Sequence, residues 1–194
     1  MMGVPVPSPE LAVDLAWSIW FVTWCAAALW ADRAAKRAGF GAEALYRGLT
    51  IVGVVLLFGF SGHLSSHKLL ESGVAVGWAL VFAAVCGFLF CWWARIHLGR
   101  LWSGFVTKKA GHHIVDTGPY GIVRHPIYTG LIVASFATAI IKGTAAALAG
   151  AIVMAVSFWI KARLEERFLS AELGAEAYGA YRRRVPMLVP FAPR

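Results

Sequence analysis

The sequence predicts an all-α integral membrane protein with five transmembrane helices, and three observations carry that prediction. Hydrophobic residues make up 59% of the 194 positions and charged residues only 14%, giving a mean hydropathy of +0.68. A soluble domain of this length needs more charge to keep its surface wet. Five apolar runs approach the length that a hydrocarbon core of roughly 30 Å demands of a helix. Finally, the Lys and Arg residues are concentrated in alternate segments between those runs.

The first run, LAVDLAWSIWFVTWCAAALWA from Leu11, is interrupted only by Asp14. The residues before it contain no Lys or Arg and the run is too long for a signal-peptide h-region, so this span is expected to stay in the protein. The second run extends from Leu49 to about Phe60 and the third from Val74 to about Trp93. The fourth, Ile127 to Ile141, is joined through Lys142 and Gly143 to the fifth, Thr144 to Ile160. So short a connection predicts an antiparallel C-terminal hairpin. Beyond Ile160, KARLEERFLSAEL holds no Gly or Pro before Gly174, so the fifth helix is expected to continue as an amphipathic extension. AYGAYRRRVPMLVP then mixes aromatic, basic and proline residues and is expected along the headgroups, with Arg182 to Arg184 as an anionic-lipid anchor.

Charge placement gives the orientation. Arg33, Lys36, Arg37 and Arg47 fall between spans one and two, Lys68 alone between two and three, and Arg95, Arg100, Lys108, Lys109 and Arg124 between three and four. Lys142 alone separates four from five, and the remaining basic residues follow span five. The positive-inside rule then puts the N-terminus outside, with loops one and three and the C-terminus in the cytoplasm. The net charge of +8 is thereby accounted for by topology, and no nucleic-acid partner is expected. Cys25, Cys86 and Cys91 lie inside apolar runs and read as core or lipid-facing thiols. The chain reads as one domain over residues 1–194, with three spans in 11–93 and most of the reactive side chains in 94–194.

Several motifs invite chemistry. GFGAEA at Gly39 fits a dinucleotide pattern on paper, but no strand precedes it and it is set aside as chance. His63 and His67 have metal-ligand spacing at the outer end of span two, where polar residues at a helix end are the simpler reading. Glu165 and Glu166 follow the fifth span, with Lys161 and Arg163 one turn earlier on the same faces. Acids at a membrane boundary suit a cationic ligand. In HHIVDTGPYGIVRHPIYTG, Gly118 and Pro119 make a turn, His125 is held extended by Pro126, and Pro126 suits the first turn of span four. Amides at that helix start, beside His125 and Tyr128, are placed to receive an anionic group. Arg124 reads as a side chain snorkelling to phosphate.

From Arg95 to Phe191, the ordered set HHIVDTGPYGIVRHPIYTG, a membrane hairpin, EERFL and YGAYRRRVPMLVPF resembles the isoprenylcysteine carboxyl methyltransferase family and its bacterial relatives. Phospholipid methyltransferases share the outline. The resemblance implies an integral-membrane methyltransferase using S-adenosylmethionine, with the cofactor cradled by C-terminal helices and loops facing the cytoplasm of a bacterial inner membrane. It implies cofactor-binding roles for His112, His113, Ile114, Val115, Tyr120, His125, Pro126, Tyr128 and Glu165. In this reading Glu165 takes the cofactor's ammonium, the amides and His125 its carboxylate, and Tyr120 and Tyr128 its adenosine. Lys161 stands where family members place a substrate-associated basic residue, and it would hold a carboxylate as a point charge without the Arg fork. Lys161 and Arg95 are the candidate substrate-binding residues, and Arg163 and Glu166 the candidate catalytic ones.

The expected acceptor is a lipophilic small molecule or lipid entering from the bilayer, such as a prenylcysteine-like carboxylate. Phospholipid N-methylation and thiol S-methylation are the alternatives. Two other classes compete: a membrane metalloenzyme using His112, His113, His125 and the two acids, and a non-enzymatic membrane assembly protein. No resident metal is expected.

Overall fold

The computed structural model describes residues 7–29, 36–37, 40–59, 68–99, 102, 107–108 and 114–192. Six α-helices follow one another: α1 (Pro9–Ala28), α2 (Phe40–Phe58), α3 (Val74–Leu98), α4 (Pro126–Lys142), α5 (Ala145–Leu173) and α6 (Ala175–Arg184). One turn of 3-10 helix, Gly118–Gly121, precedes α4. A two-residue antiparallel ladder pairs Lys36 with Lys108 and Arg37 with Thr107, which brings the loops after α1 and after α3 together. By length and composition α1, α3 and α5 can each cross a membrane, and α4 is a shorter apolar helix. Bulky apolar side chains such as Ile19, Val22, Phe82, Leu89 and Ile152 stand exposed on these helices, as expected of an integral membrane protein whose solvent there is lipid.

Local chemistry explains the helix ends. Ser8 caps α1 by accepting the Leu11 amide at 3.2 Å, and Pro9 occupies the first turn, where a missing N–H costs nothing. Thr144 caps α5 through the Ala147 amide at 3.1 Å. Between α4 and α5, Gly143 takes a left-handed conformation with φ of 67°. Its carbonyl also accepts the Leu69 and Leu70 amides at 2.7 and 3.1 Å, and a Cβ there would meet the Leu70 carbonyl at 2.1 Å. The expected hairpin is present, and α5 runs past Ile160 as expected.

Two boundaries differ from the sequence reading. Helix α2 starts at Phe40, not Leu49, because Ala42, Glu43, Ala44 and Leu45 favour helix and Glu43 suits the first turn. Arg47 is therefore helical and not in a loop. Helix α3 continues to Leu98, so Arg95 and His97 belong to its last turn.

Packing follows membrane rules, with small residues letting backbones approach. Helices α3 and α4 cross where Gly87 faces Gly130: a Cβ on Gly130 would lie 2.3 Å from the Gly87 carbonyl oxygen. Helices α2 and α5 form the other broad contact. There the Ser157 hydroxyl donates to the Tyr46 carbonyl at 2.7 Å and meets the Thr50 hydroxyl at 2.7 Å. Helix α1 lies on α3 through Trp17, Trp20 and Phe88. Asp14, the one charge within the first run, is 3.1 Å from the Lys142 ammonium. Cys25 and Cys86 are exposed, Cys91 is buried, and all three are free.

Gly130→Ala is expected to destabilise the bundle by about 1–3 kcal/mol through overpacking. Gly48→Ala has open space around the new Cβ and is expected to be neutral or stabilising. Thermal unfolding in detergent ranks the two.

Candidate active site

The site forms where α4 begins, opposite the end of α5. Pro126 is buried in the first turn of α4, and His125 immediately before it has φ of −127° and ψ of 64°, short of the fully extended backbone expected before proline. No side chain caps this helix start. Its imidazole is buried between the two acids of α5: Nδ1 lies 3.5 Å from Glu165 Oε2, and Nε2 lies 3.3 Å from Glu166 Oε1. The Tyr128 hydroxyl donates to Glu165 Oε1 at 2.6 Å. The Tyr128 ring stacks on both His125 and Phe158, with centroids 5.5 Å apart in each case.

Glu166 is held more firmly than Glu165. Arg124 Nε donates to Glu166 Oε1 at 2.7 Å with both side chains buried, and Arg182 Nε lies 3.4 Å from Oε2. Arg124 also donates to the carbonyls of Arg182 and Val185. The strap after α6 continues this closure: the Pro186 and Met187 carbonyls accept the Arg124 and His125 amides at 2.9 and 3.1 Å, and the Leu188 carbonyl accepts the Thr129 hydroxyl at 2.6 Å. The Tyr181 hydroxyl donates to the Tyr120 carbonyl at 2.8 Å, and Arg184 pairs with Asp116 at 2.7 Å. The Glu165 side chain remains partly exposed at 18%.

Burial favours the neutral imidazole of His125, but hydrogen bonds and attraction from Glu165 and Glu166 outweigh it, and its pKa is raised above the usual histidine range. The cluster therefore sets His125 and Arg124 against two carboxylates.

The structure brings together His125, Pro126, Tyr128, Glu165 and Glu166, which the sequence had singled out. Lys161 joins at the edge, its ammonium 5.2 Å from the Tyr128 ring centroid and 5.4 Å from that of Tyr46. Tyr120 is buried and stacks on His97 with centroids 6.4 Å apart. Ile114 packs against Tyr178 and Tyr181, while Val115 is half-buried. His112 and His113, like His63 and His67, lie outside the described residues.

Four of these residues sit differently from what the sequence suggested. Arg163, a candidate catalytic residue, is exposed and lies against Trp159 with its guanidinium carbon 5.3 Å from the ring centroid, away from the cluster. Arg95, a candidate substrate ligand, is fully buried and donates to the Gly99 and Ala27 carbonyls at 2.7 and 2.8 Å, tying α3 to the end of α1. Tyr128 has its ring stacked within the core and offers no face to an adenosine. His125 directs both ring nitrogens at carboxylates.

Arg124 and Arg182 were missed, having been read as lipid-facing cations. The available signal was the pair of acids at the membrane boundary, which needs more than one nearby cation to be buried. Among the described residues no His, Cys, Asp or Glu group is arranged to hold a metal ion.

Residues 79–171 match the isoprenylcysteine carboxyl methyltransferase (ICMT) family. The match covers just under half of the chain. It spans α3 to most of α5, including Arg124, His125, Tyr128, Lys161, Glu165 and Glu166, and leaves out α1, α2, α6 and the strap. Methanethiol S-methyltransferase 2 of Bradyrhizobium diazoefficiens is 46% identical over 84 residues, covering 43% of this chain and 31% of the relative. Methanethiol S-methyltransferase 1 of the same organism is 35% identical over 116 residues, covering 59% and 39%. The protein-S-isoprenylcysteine O-methyltransferase of Schizosaccharomyces pombe is 30% identical over 103 residues, covering 52% and 43%. The chain thus spans less than half the length of these curated relatives.

Two outcomes test the electrostatics of this family site. Arg124→Ala leaves Glu166 buried beside a weaker partner set and is expected to cost about 3 kcal/mol or more, seen as a lowered unfolding temperature in detergent. Because the folded pKa of His125 is raised, its stabilisation is complete below the unfolded value of about 6.5 and is lost as pH rises through the folded one. The unfolding temperature is expected to fall from pH 6 to pH 9 in the wild type, and His125→Asn to flatten that slope.

Proposed function

We propose that this protein is an integral-membrane methyltransferase that uses S-adenosylmethionine to methylate a lipophilic acceptor drawn from the bilayer. The observation that carries the proposal is the pairing, within the segment that matches this family, of the partly exposed Glu165 side chain with a helix start at Pro126 that no side chain caps. That donor set fits a zwitterionic amino-acid ligand: a carboxylate for an ammonium, and helix amides for a carboxylate. The membrane topology proposed with it has five spans, the N-terminus outside and the C-terminus inside, in a bacterial inner membrane with the site facing the cytoplasm. Support comes from the basic loops one and three, which the Lys36–Arg37 and Thr107–Lys108 ladder joins on one side of the bundle.

When bound, S-adenosylmethionine supplies a methyl group activated on a positively charged sulfur. The protein's part is placement. Glu165 holds the ammonium, fixed in orientation by Tyr128 and His125. The amides of Ile127 and Tyr128 at the start of α4 take the carboxylate. The Arg124–Glu166 pair and the strap close the site on the water side and keep it dry. Lys161 steers an anionic acceptor toward the donor from the α2–α5 side. Alignment of two held reactants contributes on the order of 7–11 kcal/mol to barrier reduction, so strong acid or base chemistry is not required.

The acceptor is a prenylcysteine-like or other small hydrophobic carboxylate in the first reading. Thiol S-methylation is the second, favoured by the names of the two Bradyrhizobium relatives and by a Lys in place of an Arg fork. Membrane lipids are the other expected partners.

The purified protein in detergent is expected to bind S-adenosylmethionine by calorimetry, with Glu165→Gln and His125→Ala each weakening it at least about tenfold, as loss of a charged contact implies. Absence of binding, or binding by both variants unchanged from wild type, sinks the assignment. Labelled methyl transfer to a thiol and to a carboxylate then separates the two acceptor readings.

A further inference from the structure

Tyr46 lies on α2, outside the family segment. Its side chain is only 4% exposed, and its hydroxyl oxygen lies within reach of the Arg47 guanidinium, which can only donate, so its own O–H proton is left without an acceptor. Buried tyrosine hydroxyls ordinarily find a partner, since leaving one unmet is costly. The backbone here is well fixed, because the Tyr46 carbonyl accepts the hydroxyls of Thr50 at 2.8 Å and Ser157 at 2.7 Å. The phenol is thus aimed by a helix contact that does not involve the hydroxyl itself.

Its surroundings belong to the proposed site. The Lys161 ammonium sits 5.4 Å from the Tyr46 ring centroid and 5.2 Å from that of Tyr128, whose hydroxyl binds Glu165. The Arg47 guanidinium carbon is 5.9 Å from the Tyr46 ring centroid, and Arg47 pairs with Glu43. A buried O–H donor near two cations is matched to an anion. Helix α2 also exposes Leu45 and Ile51 beside it, an apolar flank along which a lipophilic tail can lie.

Building on the methyl-transfer reading, we propose that Tyr46 is an acceptor-binding residue whose hydroxyl donates a hydrogen bond to the anionic nucleophile, carboxylate or thiolate, that Lys161 attracts. The acceptor's lone pair forms the new bond to the methyl carbon while the carbon–sulfonium bond breaks and its electron pair returns to sulfur. An anionic acceptor leaves no proton to place, so the phenol holds and orients and does not act as a base. This gives the N-terminal half of the chain a direct part in choosing the acceptor.

Tyr46→Phe removes only the hydroxyl and keeps the ring and both backbone contacts. Full-length protein in detergent is measured with S-adenosylmethionine carrying a labelled methyl, using 1-decanethiol and S-decylcysteine as probes. The variant is expected to bind and methylate the accepted probe about tenfold less well, the size of one hydrogen bond to a charged group, with affinity for S-adenosylmethionine within about twofold of wild type. Unchanged probe binding and kcat/KM in the variant, or no binding of either probe by the wild type, overturns the role of Tyr46 while cofactor binding stands. A wild type that does not bind S-adenosylmethionine overturns the methyltransferase reading and this proposal together.

Discussion

Burial of the Glu166 carboxylate is the constraint on which the site depends. A carboxylate removed from water is expensive unless cations and donors surround it. Here the Arg124 guanidinium at 2.7 Å, the His125 imidazole at 3.3 Å and the Arg182 guanidinium at 3.4 Å supply that environment. Those residues come from the turn before α4 and from α6, so one buried charge on α5 fixes the relative position of three elements. The strap follows, because Arg124 also collects the Arg182 and Val185 carbonyls.

Neighbouring acids thus divide the work. Successive residues on a helix point about 100° apart, as 3.6 residues per turn requires. Glu166 faces the turn and α6, while Glu165 faces Tyr128 and stays partly open. His125 lies between them and touches both. The Glu166 half is closed by cations, and the Glu165 half is the more open one.

The parts legible in the sequence were those written in local patterns. Hydropathy marked the apolar runs, the Lys142–Thr144 connection marked the hairpin, and the absence of Gly or Pro before Gly174 marked the extension of α5. The proline after His125 marked a helix start, and the acids after span five marked its counterpart. What failed to show was pairing across distance. Arg124 meets Glu166 from 42 positions away, and the Tyr181 hydroxyl meets Tyr120 from 61 positions away, so no spacing rule reports them. Arg95 and Arg163 misled for the same reason: their position near the chemistry in sequence says nothing about which way a helix turns them. The early start of α2 was hidden because polar Glu43 and Arg47 lowered the hydropathy that defined the run, although their spacing suits a helix.

The two-residue turn at Gly143 and Thr144 bears on how the protein enters its membrane. Antiparallel helices joined so tightly can insert as a single unit, with the start of α4 and the far end of α5 remaining on the side from which they came. Arg124, His125, Glu165 and Glu166 then never have to be dragged through hydrocarbon, where each unpaired charge would resist passage. Their mutual contacts need only the turn before α4 and the end of α5, not α6 or the strap. Insertion itself, by keeping opposite charges on a common side, would perform the first step of assembling the site.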